Sequence, residues 1–240
     1  MPNRQRRFGL ATLAAGLLLA LPVRAEKPKV VILATGGTIA GSADSQTQAG
    51  YASGQVGVDV LIVANDDIHG ARGITETSTT DLETFLSPER GLIGVSLYGK
   101  NRYFRGPYRT HTAASEFSLD GVTALPRVDV IYITADVSPD LIDAAVAAGA
   151  KGLVTAGVGN GNMNAGALAA VGRAVEQGVV VVRATRLMGG AVGRNVEVDD
   201  DELGTAVAGE LSPAKARVLL KLALLETRDP AAVQAYFDRY

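Results

Sequence analysis

Two threonines bracket two glycines in Thr35-Gly36-Gly37-Thr38, directly after the apolar run V-V-I-L-A at 30–34. Hydroxyls at the glycine-rich end of a buried strand admit three chemistries. One is a phosphate loop, but the stretch lacks the G-x-x-x-x-G-K-[ST] spacing with its lysine, and G-x-G-x-x-G is absent too. A second is a tight strand-to-loop turn whose threonines satisfy backbone groups. The third is a threonine nucleophile at a strand's C-terminal end, where open α/β sheets place their sites. There, nearby backbone N–H groups can stabilise an oxyanion. Two other stretches concentrate polar groups. G-V-G-N-G-N at 157–162 has the form of a strand-to-helix turn able to bind an anion. V-E-V-D-D-D at 196–201 reads as a solvated acidic turn, and its spacing is not that of a calcium loop.

The elements that must position these groups are clearest in the C-terminal half. The spacing predicts a strand at 128–133, a helix opened by Ser138-Pro139 and stopping near Gly149, and a strand at 152–156. A helix over 165–176, closed by Gly178, precedes the valine run 179–182, a buried strand. Ser212-Pro213 and Asp229-Pro230 open two more helices. Strands alternating with helices imply a parallel sheet covered on both faces. Residues 91–127 carry no helix signal and read as a linker holding a hairpin with its turn at Gly99-Lys100-Asn101. The organisation expected is a leader over 1–25, a truncated N-terminal domain over 26–90, that linker, and a C-terminal α/β domain over 128–240.

The N-terminal half conflicts with itself. Residues 29–34 and 59–64 are both continuous apolar runs, as in strands of a doubly covered parallel sheet. Adjacent parallel strands need a crossover, usually a helix. Residues 41–58 have four glycines and no helical apolar period. They are long enough to cross but cannot cover a sheet face.

Bulk properties exclude several classes. The chain has 240 residues, 47% apolar and 20% charged, enough for one sizeable core or two small ones. Its formal charge of −2 comes without a basic cluster in the body of the chain, so nucleic acid is not the expected partner. It has no cysteine, and its two histidines, His69 and His111, lie far apart, so neither disulfides nor a histidine metal site is expected. Arg4, Arg6 and Arg7 precede an apolar stretch over 8–23 and then Val23-Arg24-Ala25, the build of a secretory signal peptide cleaved after Ala25. Its removal takes four arginines and no acid, leaving a mature chain of −6 with no expected membrane anchor. A periplasmic or secreted location fits.

Several collinear motifs carry a resemblance. A-T-G-G-T-I-A-G, Tyr51 in G-Y-x-x-G-Q-V-G-V, N-D-D-I-H-G-A-R at 65–72 and R-T-H-T-A-A-S-E-F at 109–117 resemble the bacterial type II L-asparaginases. So do A-G-V-G-N-G-N at 156–162, V-E-V-D-D-D and L-S-P-A-K-A-R-V-L-L at 211–220. The resemblance covers essentially everything after the leader. It implies hydrolysis of L-asparagine, often with some glutaminase activity, without a cofactor, by a homotetramer with sites between subunits. It implies that Thr38 is the nucleophile and Tyr51 the lid tyrosine that helps activate it. It further implies that Asn162 and Glu197 complete a neighbouring subunit's site, Glu197 holding the substrate amino group.

The same resemblance exposes a gap. In the family the G-Q-V-G-V motif leads into a helix and a long run supplying a serine for the substrate carboxylate, a Thr-Asp pair and a lysine. Here V-G-V-D-V-L-I runs straight into V-A-N-D-D-I-H, and none of these groups appears between Val58 and Asn65. On the order of a hundred residues of a domain are missing, which is the crossover whose absence the pattern already shows. The alternative is an inactive truncated paralogue or gene fragment. A phosphate-binding protein would need a lysine or arginine within 35–41, and there is none. N-terminal sequencing of exported protein should begin at Glu26, and a mature chain retaining Met1 would contradict the leader.

Overall fold

The computed structural model describes residues 61–111 and 114–240. The leader, the strand expected at 29–34, Thr38 and Tyr51 lie outside the described residues.

The mixed α/β class holds. Strands β1 (Leu61–Ala64), β2 (Asp67–Gly70), β5 (Gly94–Leu97) and β6 (Lys100–Tyr103) form one sheet in the order β1-β2-β5-β6. Two short strands, β3 (Thr75–Glu76) and β4 (Phe85–Leu86), pair beside it. The parallel partner expected for 59–64, the run at 29–34, lies outside the described residues; all pairings of the described strands here are antiparallel. The reason lies in the turn. Asn65 and Asp66 both take positive φ, 50° and 64°, between the paired Ala64 and Asp67. Two residues at positive φ make the hairpin turn whose twist matches antiparallel strands. The second hairpin also exists, but its turn is Tyr98-Gly99, at φ 51° and 73°, one residue earlier than expected. Through β5 it joins the same sheet as β1 and β2.

The larger sheet is parallel, in the order β10-β9-β8-β7. It comprises β7 (Val128–Tyr132), β8 (Gly152–Gly157), β9 (Val180–Thr185) and β10 (Ala206–Val207). Alternation along β9 sends Val180, Val182 and Ala184 to one face and Val181 to the other. Helices α4 (Pro213–Glu226) and α5 (Pro230–Arg239) cover the first face with Leu219, Leu220, Ala223, Val233 and Phe237. Helices α1 (Asp140–Ala147) and α2 (Ala165–Glu176) cover the second with Ile142, Ala167, Ala170 and Val171. The proline-opened helices form as the sequence predicts. Asp229 caps α5 by accepting from Ala232 N–H at 3.0 Å, whereas Ser212 makes no side-chain cap bond. A four-residue helix α3 (Asp200–Leu203) and β10 were not legible in the pattern, since each is too short to show a period.

The small sheet is fastened to the large one by polar ties. Glu210 accepts from Arg90 and from the Tyr108 hydroxyl. Burial pushes the Glu210 carboxyl up, but those two bonds and the Arg90 charge hold it below its ordinary value. Lys215, in the first turn of α4, reaches across to donate to the carbonyls of Arg72, at 2.9 Å, and Ile74. Its ammonium is largely buried, and burial first, then the Arg72 charge, lowers its pKa from 10.5 to about 8. The folded state therefore sheds this proton before the unfolded chain does. The cost of burying the charge is present in full below about pH 8 and fades toward 10.5, so stability rises with pH across that window. Lys215→Met should flatten this rise relative to the parent in urea unfolding at stepped pH from 7 to 10.5; an unchanged slope would contradict the assignment.

Candidate active site

Parallel strands deliver their loops to one end of the sheet, and two of the sequence-predicted residues, Asn162 and Glu197, meet there, while Thr38 and Tyr51 lie outside the described residues. The loops following β7 and β8, with the segment leading to α3, frame a groove of about 390 Å³. Ile133, Asp136, Asn160, Asn162, Met163 and Glu197 line it. Asn162 and Glu197, 35 residues apart in the chain, are brought together: the Asn162 side-chain amide donates to the Glu197 carboxylate at 3.3 Å. Both are exposed to the groove opening, so their free hydrogen-bonding capacity faces solvent.

Glycine makes the first loop possible. A Cβ on Gly157 would lie 2.4 Å from the carbonyl carbon of Gly161 and 2.7 Å from the oxygen of Asn162, so the loop folds back against its own strand. Gly161 takes φ 77° and aims its carbonyl at the interior. Val158 and Asn162 then exchange two backbone bonds of 2.8 Å, which fixes the backbone beneath the Asn162 side chain. The Asn162 side-chain oxygen accepts from Met163 N–H at 2.8 Å, which leaves its amide turned toward Glu197. Asn164 caps α2 by accepting from Ala167 N–H at 2.8 Å and donates to Val137 O at 3.0 Å. The helix start, the β7 loop and the groove are thus one bonded unit.

Beneath the groove lies a feature that pattern reading missed. Arg183 and Asp200, both fully buried, form a two-point ion pair, Nε to Oδ1 at 2.6 Å and Nη2 to Oδ2 at 2.7 Å. The remaining guanidinium nitrogen, Nη1, donates to the carbonyls of Asn160 and Gly161, each at 3.3 Å. Asp200 also accepts from the Thr205 hydroxyl at 2.6 Å and from Asn195 N–H at 2.9 Å. Burial pushes the Asp200 carboxyl up, but the bonds from Arg183, Thr205 and the Asn195 backbone outweigh it and hold the pKa below its ordinary value. Its contribution to stability is complete above the ordinary carboxylate pKa and is lost as pH falls through the depressed one.

The acidic run is therefore not one solvated turn. Asp199 caps α3 by accepting from the N–H groups of Asp201, at 3.1 Å, and Glu202, at 3.0 Å. Asp200 is buried, and Asp201 pairs at the surface with Arg194. A signal for Arg183 was present, since an arginine following V-V-V-V in a buried strand requires a buried acid.

A second cavity of about 40 Å³ lies under Tyr108 in the joint between the two sheets. It has room for little more than a water molecule or two. Among the described residues no group of three or more His, Cys, Asp and Glu could hold a metal ion, and no helix is long and apolar enough to cross a membrane.

Residues 127–237 match the family described as Glutaminase/Asparaginase C-terminal domain. The chain is 39% identical over 229 residues to a protein of Haemophilus influenzae named probable periplasmic L-asparaginase, a match covering 92% of this chain and 65% of that protein. It is 39% identical over 230 residues to L-asparaginase 2 of Escherichia coli, covering 92% of this chain and 66% of the relative. It is 35% identical to a glutaminase-asparaginase of Pseudomonas aeruginosa, covering 92% of this chain and 63% of that relative. The chain thus spans somewhat under two thirds of the length of these relatives.

The groove's geometry predicts two opposite glycine substitutions. Gly157→Ala forces the 157–162 loop off its strand and should destabilise by about 1–3 kcal/mol, the usual range for overpacking. Gly166→Ala in α2 meets nothing closer than 3.6 Å and should stabilise by up to about 1 kcal/mol through helix propensity. Urea midpoints of the two variants, moving in opposite directions from the parent, check both.

Proposed function

We infer that this chain, which belongs to the glutaminase/asparaginase family through its C-terminal domain, is an L-asparaginase-type amidohydrolase with weakened turnover. It would convert L-asparagine to L-aspartate and ammonia in the periplasm after loss of a leader at 1–25. The observation that carries this reading is the Asn162–Glu197 pair at the C-terminal ends of the parallel strands. It sits in a chain whose relatives, matched over 92% of its length, are named L-asparaginases.

The roles follow from chemistry. Glu197 offers a carboxylate to the substrate α-ammonium, a charge-assisted hydrogen bond. Asn162 orients that carboxylate. In the proposed reaction the Thr38 hydroxyl adds to the side-chain amide carbon of asparagine and gives up its proton. The C–N bond then breaks, the nitrogen leaves as ammonia, and an aspartyl ester remains on Thr38. Water hydrolyses the ester and restores the hydroxyl. Tyr51 assists the first proton transfer, but a phenol with a pKa near ~10 is a weak base at neutral pH. By family resemblance Asn162 and Glu197 serve Thr38 of another copy, in a homotetramer.

The impairment is inferred from the join near residues 58–65. The relatives are longer by a third or more, and the chain has no Thr-Asp pair, lysine or carboxylate-binding serine in the stretch where the family carries them. Loss of general-base help costs ~10²–10⁴ in rate. Groups that act as a unit also fail as a unit.

Ammonia release from L-asparagine should accordingly fall well below the ordinary enzyme range of ~1–10³ s⁻¹, with the remainder abolished in Thr38→Ala. Ordinary turnover that Thr38→Ala abolishes would overturn the impairment. Slow turnover indifferent to Thr38→Ala would overturn the nucleophile. No turnover at all would favour the inactive truncated paralogue.

A further inference from the structure

We infer that the buried Arg183–Asp200 pair is a positioning device for Asn162 and Glu197, setting the separation at which the two can hold the ammonium end of an amino acid. The ligand in this statement rests on the proposed function; the positioning does not.

Neither member of the pair reaches solvent, so neither can touch a ligand in the groove. Each acts through backbone. On one side the guanidinium holds the carbonyls of Asn160 and Gly161, and Gly161 is bonded directly to Asn162. On the other side it holds the Asp200 carboxylate. That carboxylate accepts from Asn195 N–H at 2.9 Å, while the Asn195 side-chain oxygen accepts from Asp200 N–H at 2.8 Å. The two bonds clamp the ends of the 195–200 loop, and Glu197 stands inside it. A continuous path therefore runs from Asn162 through Gly161, Arg183, Asp200 and Asn195 to Glu197. A further tie crosses between the same two loops, where Asn160 accepts from Gly193 N–H at 2.7 Å.

Stability alone does not ask for this construction. A buried ion pair spends much of its attraction on desolvation, and apolar replacements of similar volume often match it. What an apolar cluster cannot do is hold carbonyls of one loop and a carboxylate of another at fixed angles. The planar fork of five N–H donors does that, and an ammonium does not.

The test follows the side-chain amide signal of Asn162 in a ¹⁵N-labelled full chain, with Glu197→Gln as the reference for an altered contact. Arg183→Lys keeps the charge and loses the fork. The Asn162 amide should move toward its position in Glu197→Gln, while backbone signals of α4 and α5 stay in place. The double variant should show no shift beyond Glu197→Gln alone. An Asn162 signal unmoved in folded Arg183→Lys overturns the inference. Should Arg183→Lys fail to fold, Thr205→Val removes only one bond to Asp200. A smaller shift in the same direction then supports positioning, and no shift overturns it. In ammonia release, Arg183→Lys should raise KM by about tenfold or more and add nothing once Glu197 is glutamine. Absence of turnover in the parent would count against the proposed function and leave the spectral result decisive for the pair.

Discussion

One buried charge organises the site end of this molecule. Arg183 sits in a strand whose other buried residues are valines, one alanine and Thr185, and it has no access to water. An unpaired guanidinium there is not tolerable, so the chain beyond β9 must return a carboxylate to it. Asp200 does so, and the return path fixes the loop 193–200 over the end of the sheet. The donors left over on Arg183 then draw in the 160–161 carbonyls from the neighbouring strand's loop. Two segments separated in sequence are held together by the valence of one side chain. The groove, and the contact between Asn162 and Glu197 at its mouth, are consequences of that satisfaction rule as much as of any ligand requirement.

The rest of the C-terminal domain supplies the rigidity this arrangement needs. The sheet is buried on both faces, and the alternation along β8 and β9 assigns each residue to one helical layer or the other. A register slip would move Arg183 to the α4 and α5 side, where Val182 and Ala184 now pack. Parallel pairing over six residues between β8 and β9 prevents this. Fold and site are thus coupled through register, and the same alternation that buries valines places the arginine.

Much of this was legible in the sequence. The helix over 165–176 appears with the bounds expected, because a capping residue, an apolar stripe and a glycine stop all agree. The pairing of G-V-G-N-G-N with V-E-V-D-D-D was legible only through resemblance. Spacing alone cannot bring residues 162 and 197 together, since that contact depends on crossover geometry. In the small sheet two local rules meet. The apolar run at 59–64 favoured a buried parallel strand, whereas Asn65-Asp66 can both adopt positive φ and close a hairpin. A two-residue turn acts on its immediate neighbours and needs no distant partner.

The same hairpin bears on how the described part of the N-terminal half is held. In a parallel arrangement, 61–64 would need a strand partner reached through a crossover. In the hairpin it finds its partner across a two-residue turn. Among the described residues, however, this sheet has little core of its own. Few of its residues are buried, Ile68, His69 and Gly94 among them, and its outer strand β6 is exposed throughout. Its attachment to the large sheet runs through polar ties, Arg90 and Tyr108 to Glu210 and Lys215 to the carbonyls of Arg72 and Ile74. Polar ties at a domain joint are each modest in net worth, because water competes for the same groups. The C-terminal domain, by contrast, has two continuous apolar layers of its own. The physical division of the molecule therefore places Asn162 and Glu197 on the part with an autonomous core. The contact between these two side chains is thus preformed by the larger sheet and its loops.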